Sequence, residues 1–148
     1  MKQFLGVAIL FILFNSKVSG QILNPVHWSY GVKKINKTEA FLYLKADIDK
    51  GWHIYSQSVK DGGPAHTSFV FTKSTSYSIV GRVTEPAPII KYEAVFKMNV
   101  GYFEGSTLFQ QKIKLNKANS TVSGVLTYQA CNDRHCIPPT DVNFSVSL

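Results

Sequence analysis

Phe41-Leu42-Tyr43-Leu44-Lys45-Ala46-Asp47-Ile48 is the stretch on which the fold assignment turns. Successive side chains of a β-strand point to opposite faces. Leu42, Leu44, Ala46 and Ile48 therefore share one face, and Lys45 and Asp47 fall on the other. A strand with one apolar and one polar face belongs in an antiparallel sheet that covers a core on one side only. Working outward, Asp49-Lys50-Gly51 turns the chain, and a strand over Trp52–Gln57 runs into the loop Asp61-Gly62-Gly63-Pro64. Further strands are predicted at Ser68–Thr72 and Tyr77–Val83. In Thr107–Leu115, Phe109, Ile113 and Leu115 alternate with Gln110, Lys112 and Lys114, and Asn116–Ser120 reads as a turn into Thr121–Ala130, which predicts a hairpin. Pro86 and Pro88 remove two ladder donors from Glu85–Ile90, so this segment is expected at an edge or in a connection. Val142, Phe144, Val146 and Leu148 alternate with Asn143, Ser145 and Ser147 in the last strand. Helical periodicity is missing past the N-terminus. About eight or nine short strands divided by turn signals predict an all-β chain folded as an immunoglobulin-like β-sandwich, with a closed barrel as the alternative.

The N-terminus reads differently. Lys2 gives a short positive region, Phe4–Phe14 is apolar throughout, and Val18-Ser19-Gly20 offers small residues for cleavage before Gln21. This is the pattern of a signal peptide over residues 1–20. The apolar run falls well short of the roughly 20 residues that span a bilayer, and no later segment is long and apolar enough. The expected product is an exported protein, periplasmic or secreted, comprising residues 21–148 and without a membrane span. A lipid anchor would need a cysteine at the cleavage point, whereas the first cysteine is Cys131. The formal charge of +7 for the whole chain falls to +5 once Lys2 and Lys17 are removed. The remaining basic residues are scattered rather than gathered into the stripe that phosphate neutralisation requires, which argues against nucleic acid as a partner.

The chain has two cysteines, Cys131 and Cys136. An exported pair is expected to oxidise, so the question is whether the bond is a staple or a tool. A bond closing so short a loop contributes about 2 kcal/mol in the chain-entropy model, against nearly 5 kcal/mol for a loop of about 100 residues. As a staple it is poorly placed. The intervening Asn132-Asp133-Arg134-His135 is polar, which predicts sulfurs near the surface and open to exchange. Arg134 and His135 favour the thiolate at Cys136, and Asp133 opposes it. Pro138 and Pro139 stiffen the backbone directly after the loop.

Taken together, Thr127-Tyr128-Gln129-Ala130-Cys131, Cys136-Ile137-Pro138-Pro139 and a last strand containing Phe144 resemble the N-terminal domain family of the bacterial thiol:disulfide interchange protein DsbD. Gly51-Trp52-His53-Ile54-Tyr55-Ser56, Gly63-Pro64, Val80-Gly81 and Glu85-Pro86 fall in the family's order, so the resemblance covers about residues 24–148. It implies an immunoglobulin-like fold and a periplasmic carrier that passes reducing equivalents from a membrane-embedded reductase to disulfide-bearing client proteins, with thioredoxin-like proteins among its partners. It further implies that Cys136 forms the mixed disulfide and Cys131 resolves it. A cap loop shielding the pair corresponds to Glu93-Ala94-Val95-Phe96, with Val95 or Phe96 over the sulfurs, although valine stands where the family has an aromatic. The spacing also departs from the family, with four residues between the cysteines instead of five. No transmembrane region or thioredoxin-like domain follows Leu148, so the reductase is expected on a separate chain.

His53, Tyr55, Tyr128 and Gln129 are candidate surroundings of the pair, together with Arg134 and His135. Each also has an ordinary reading, His53 and Tyr55 as satisfied surface or core positions and Trp52 as core packing. No cofactor is implied. Zinc needs about four ligands, and Cys131, His135 and Cys136 have no companion pair, so no metal site is expected; copper carriage is less easily set aside. Sequons at Asn36, Asn119 and Asn143 would carry glycans in a eukaryotic secretory pathway. The rival to a carrier is a secreted immunoglobulin-like binding or adhesion module whose disulfide is purely structural.

Overall fold

The computed structural model describes residues 23–148; the signal peptide read at residues 1–20 lies outside the described residues. The chain forms β1 (Val26–Lys34), β2 (Glu39–Ile48), β3 (His53–Tyr55), β4 (Ser68–Phe71), β5 (Tyr77–Thr84), β6 (Ile89–Glu93), β7 (Met98–Glu104), β8 (Ser106–Leu115), β9 (Thr121–Tyr128), β10 (Ala130–Cys131) and β11 (Thr140–Ser147). These strands make three antiparallel sheets, ordered β1-β2-β8-β5, β10-β3-β7-β6 and β11-β9-β4. The architecture is an immunoglobulin-like β-sandwich, and among the described residues the closed barrel that the sequence pattern also allowed does not form.

The core follows directly from the alternation. In β2, Ala40, Leu42, Leu44, Ala46 and Ile48 are buried, and across the register Phe109, Ile113 and Leu115 of β8 join them. Val122, Leu126 and Tyr128 of β9, Phe144 of β11, Ile54 of β3, Phe103 of β7 and Ala130 of β10 complete one apolar cluster shared by all three sheets. Trp28 of β1 stands among aromatic rings within this cluster, 5.9 Å from Phe109 and 5.7 Å from Tyr128 between centroids. β1 escaped the sequence reading, although Val26, Trp28, Tyr30 and Val32 alternate with His27, Ser29 and Gly31. β7 was also missed, because Asn99 and Gly101 dilute its apolar content. With these two, the described strands number eleven rather than eight or nine.

The hairpin expected between Thr107–Leu115 and Thr121–Ala130 does not form. Both edges of β8 are occupied, one by β2 and one by β5, so β9 has no ladder to join there. The chain instead crosses to the third sheet, where β9 pairs with β11 and β4. The crossing is anchored to the β4–β5 connection: the N–H groups of Asn116 and Lys117 and the Ser120 hydroxyl all donate to the Ser76 carbonyl. The turn at Asp49-Lys50-Gly51 is present, with Gly51 at φ 83° and the Trp52 N–H donating to the Asp49 carbonyl at 3.0 Å. The proline-containing segment connects β5 to β6, and β6 is the outer strand of the second sheet.

Candidate redox site

Ala130 and Cys131 form the short strand β10, whose register with β3 pairs Ala130 with Ile54 and Cys131 with His53. Ala130 and Ile54 turn inward and are fully buried. The pleat then sends Cys131 and His53 to the outer face of the sheet. The chain reverses at once: the Asn132 N–H donates to the His135 carbonyl at 3.0 Å, and the Ile137 N–H donates to the Ala130 carbonyl at 2.9 Å. Asn132 shapes this reversal, since its Oδ1 accepts the N–H groups of Arg134 and His135, both at 2.9 Å. Cys136 thereby arrives opposite Cys131, and the two are joined by a disulfide of 2.02 Å.

The two sulfur-bearing residues have unlike surroundings. Cys131 is 2% exposed and belongs with Tyr55 and Val100 to a second, smaller apolar cluster, packed by Val59, Met98 and Tyr102. That cluster lies on the outer face of the second sheet, where the register aligns His53, Tyr55, Tyr102 and Val100. Cys136, by contrast, is exposed, as are Asp133, Arg134 and His135. The sequence expectation of sulfurs near the surface therefore holds for one of the pair.

A cleft of about 330 Å³ holds both cysteines together with His53, Tyr55, Lys91, Glu93, Val95, Phe96 and the residues Asn132 to His135. Its far wall is the tight β6–β7 turn. There Glu93 pairs with Met98, the Phe96 N–H donates to the Glu93 carbonyl, and Lys97 takes a left-handed backbone at φ 53°. Val95 projects into solvent at 85% exposed, while Phe96 is half-buried. The connection that leads from β5 into β6 is tied down at its start, where the Glu85 carboxylate accepts from the Ser56 hydroxyl and from the Gln57 N–H at 3.0 Å.

His53 is half-buried. Its Nε2 lies 3.2 Å from the Tyr55 hydroxyl, and its ring is 5.2 Å from Tyr55 and 5.1 Å from Tyr102. Burial pulls its pKa below the ordinary histidine range, with Glu93, Glu104 and Asp133 opposing and Lys91 assisting. Burial also raises the Tyr55 phenol. Lys91 is 3.5 Å from Glu93.

Of the remaining candidates, His135 lies on the cleft rim, edge-on to Trp52 at 5.3 Å, and Trp52 itself packs against the main core. Gln129 lies beneath the cysteine hairpin, donating to the Ile137 carbonyl at 3.2 Å and accepting the Ala65 N–H at 2.9 Å. Tyr128 faces the main core and does not line the cleft. Lys91, Val100 and Tyr102 were not read from sequence; their only signal was the alternation of β6 and β7. Among the described residues, no cluster of three or more His, Cys, Asp or Glu side chains is arranged to hold a metal ion, and no helix is long and apolar enough to cross a membrane. A larger cleft, about 520 Å³ between Gln57, Arg82 and Glu85, contains no thiol.

Comparison with known proteins agrees with this fold. Three solved structures share the fold: the reduced N-terminal domain of DsbD from Neisseria meningitidis (17% identity, TM-score 0.53, covering 80% of this chain and 83% of that one); the N-terminal periplasmic domain of ScsB from Proteus mirabilis (20%, 0.62, 84% and 47%); and the complex between the DsbD and PilB N-terminal domains of Neisseria meningitidis (16%, 0.56, 84% and 87%). No curated protein sequence matches. The family described as "Thiol:disulfide interchange protein DsbD, N-terminal" matches residues 21–148. With its disulfide-linked pair on the outer face of a β-sandwich, this chain belongs to the DsbD N-terminal domain family.

Proposed function

We propose that residues 21–148 work outside the cytoplasm as a dithiol–disulfide carrier, and that residues 1–20 are the leader that exports them. In the reduced state the Cys136 thiolate attacks a client disulfide, forming a mixed disulfide and releasing one client sulfur as a thiolate. The Cys131 thiolate then attacks the Cys136 sulfur, closes the internal bond and frees the client in its reduced form. Two electrons from a membrane-embedded reductase, or from a thioredoxin-like protein, reopen the bond.

The contrast between exposed Cys136 and buried Cys131 carries this reading. Exchange requires that one sulfur be reachable, and an intermediate survives long enough to be useful only if the second is sheltered from other partners. The cleft wall formed by Val95 and Phe96 supports a shielding role for the β6–β7 turn. The complex of the Neisseria DsbD domain with a PilB domain supports a protein as the other party.

Trapping tests the reading. Cys131→Ser leaves Cys136 unable to be resolved, so disulfide-linked adducts with exported proteins are expected to accumulate on non-reducing gels, and Cys136→Ser is expected to give none. Adducts in the Cys136 variant alone would reverse the two roles. A wild-type bond with a reduction potential below about −300 mV, typical of a structural disulfide, would reduce the domain to a binding module with an inert bridge.

A further inference from the structure

We propose that His53 is the general base that takes the proton from the Cys131 thiol when that thiol resolves a mixed disulfide held on Cys136. The inference rests on the carrier reading above and deepens it.

A base is needed because of where Cys131 lies. The thiolate is the attacking species, and enclosure among apolar side chains disfavours the charged form. Cys131 is 2% exposed, between Tyr55 and Val100. Solvent hydroxide is therefore a poor route for its proton. His53 is the residue directly opposite Cys131 in the β10–β3 register, on the same outer face and in the same cleft. Such cross-strand pairs hold their Cβ atoms about 5 Å apart.

The imidazole is also oriented. Tyr55 and Tyr102 flank the ring, and the Tyr55 hydroxyl engages Nε2 at 3.2 Å. If Nε2–H donates to the phenol, Nδ1 is left to accept a proton. Burial favours the neutral form of the ring, the form that accepts a proton. The charged and titratable groups facing it are Glu93 and Lys91 on β6, Glu104 on β7, and Asp133 on the hairpin. Glu93 is a weaker candidate for the same task. Its carboxylate is engaged by Lys91 at 3.5 Å, whereas His53 stands directly across from Cys131 in the strand register.

In the step itself, the Cys131 S–H bond breaks and its proton passes to His53. The sulfur lone pair attacks the Cys136 sulfur and forms the Cys131–Cys136 bond as the bond from Cys136 to the partner sulfur breaks. The partner leaves as a thiolate with that electron pair and takes up a proton from His53 or water. Over the full exchange the domain loses two electrons and two protons, and the partner disulfide gains them.

Rapid mixing of the reduced protein with a nitrobenzoate disulfide, whose released thiolate is coloured, separates the two chemical events. The first release reports attack by Cys136, and the second reports resolution by Cys131. His53→Gln is expected to leave the first within about threefold and to slow the second about 100-fold at neutral pH. Its second release should then climb about tenfold per pH unit, where the wild type levels off once the imidazole is neutral. In His53→Ala, added imidazole should restore the second release in proportion to its concentration, which a purely structural defect would not allow. An unchanged second release in His53→Gln overturns the proposal, as does slow release in His53→Ala that imidazole leaves unmoved while thermal unfolding matches the wild type. A wild-type protein that fails to make the first release overturns the carrier reading itself.

Discussion

At the scale of single residues, the site depends on which side of a pleat a side chain takes. Ala130 and Cys131 are neighbours in sequence, yet one is buried in the main core and the other in the small outer cluster. His53 illustrates the energetic consequence. Its folded-state pKa is depressed by burial, so the unfolded chain binds its proton more readily than the folded one. Stability then rises with pH wherever the unfolded state carries the extra proton. The contribution of His53 is expected to be complete above the ordinary histidine value of about 6.5, to be lost as pH falls through that value, and to level off below the depressed folded pKa. Urea unfolding of the wild type and His53→Gln across this range checks the sign: the wild type should lose more stability on acidification, and parallel curves would contradict the assignment. Tyr55 and His53 were legible in the sequence as neighbours on one strand face. Their partnership with Lys91, Glu93 and Tyr102 was not, since it requires β6 and β7 to align beside β3.

Among elements, glycine and polar residues decide how closely strands approach. In β9, Gly124 pairs with Phe71 on one side and Phe144 on the other. A Cβ there would lie 2.3 Å from the Val70 carbonyl oxygen and 2.7 Å from Phe144 Cζ. Gly124→Ala is therefore expected to destabilise the fold by about 1–3 kcal/mol through overpacking, measured by chemical denaturation, while the Cys131–Cys136 bond still forms. In β5, Gly81 at φ 72° lies within a bulge, where the register slips between Val80 and Thr84. Buried Gln111 fills the gap by donating to the Val80 and Lys112 carbonyls at 2.9 and 2.8 Å. That explains a polar residue at a core position of an otherwise alternating strand. The expected hairpin between β8 and β9 failed at this same scale. Two alternating strands and a polar turn look alike in sequence whether the second strand pairs with the first or crosses to the opposite layer, and only the occupancy of both β8 edges separates the cases.

For the molecule as a whole, the disulfide closes one turn of one sheet and does not bridge the layers. Reducing it in the wild type is expected to cost about 2 kcal/mol, which for a domain of this size lowers Tm by roughly 7 °C and leaves the sandwich folded. Calorimetry with and without reductant tests this, and global unfolding on reduction at room temperature would contradict it and count against the proposed carrier role. What the sequence by itself determined was the all-β class, the inward face of β2, β8 and β11, and which two cysteines could pair. Alternation and spacing are local properties, written within a few residues of each other. Only the tertiary structure decided that β8 and β9 part company, that Cys131 is sheltered while Cys136 is open, and that the β6–β7 turn, about 40 residues from the cysteines, forms the wall facing them. Those outcomes depend on which strands share an edge, and that is fixed by the simultaneous burial of faces far apart in the chain.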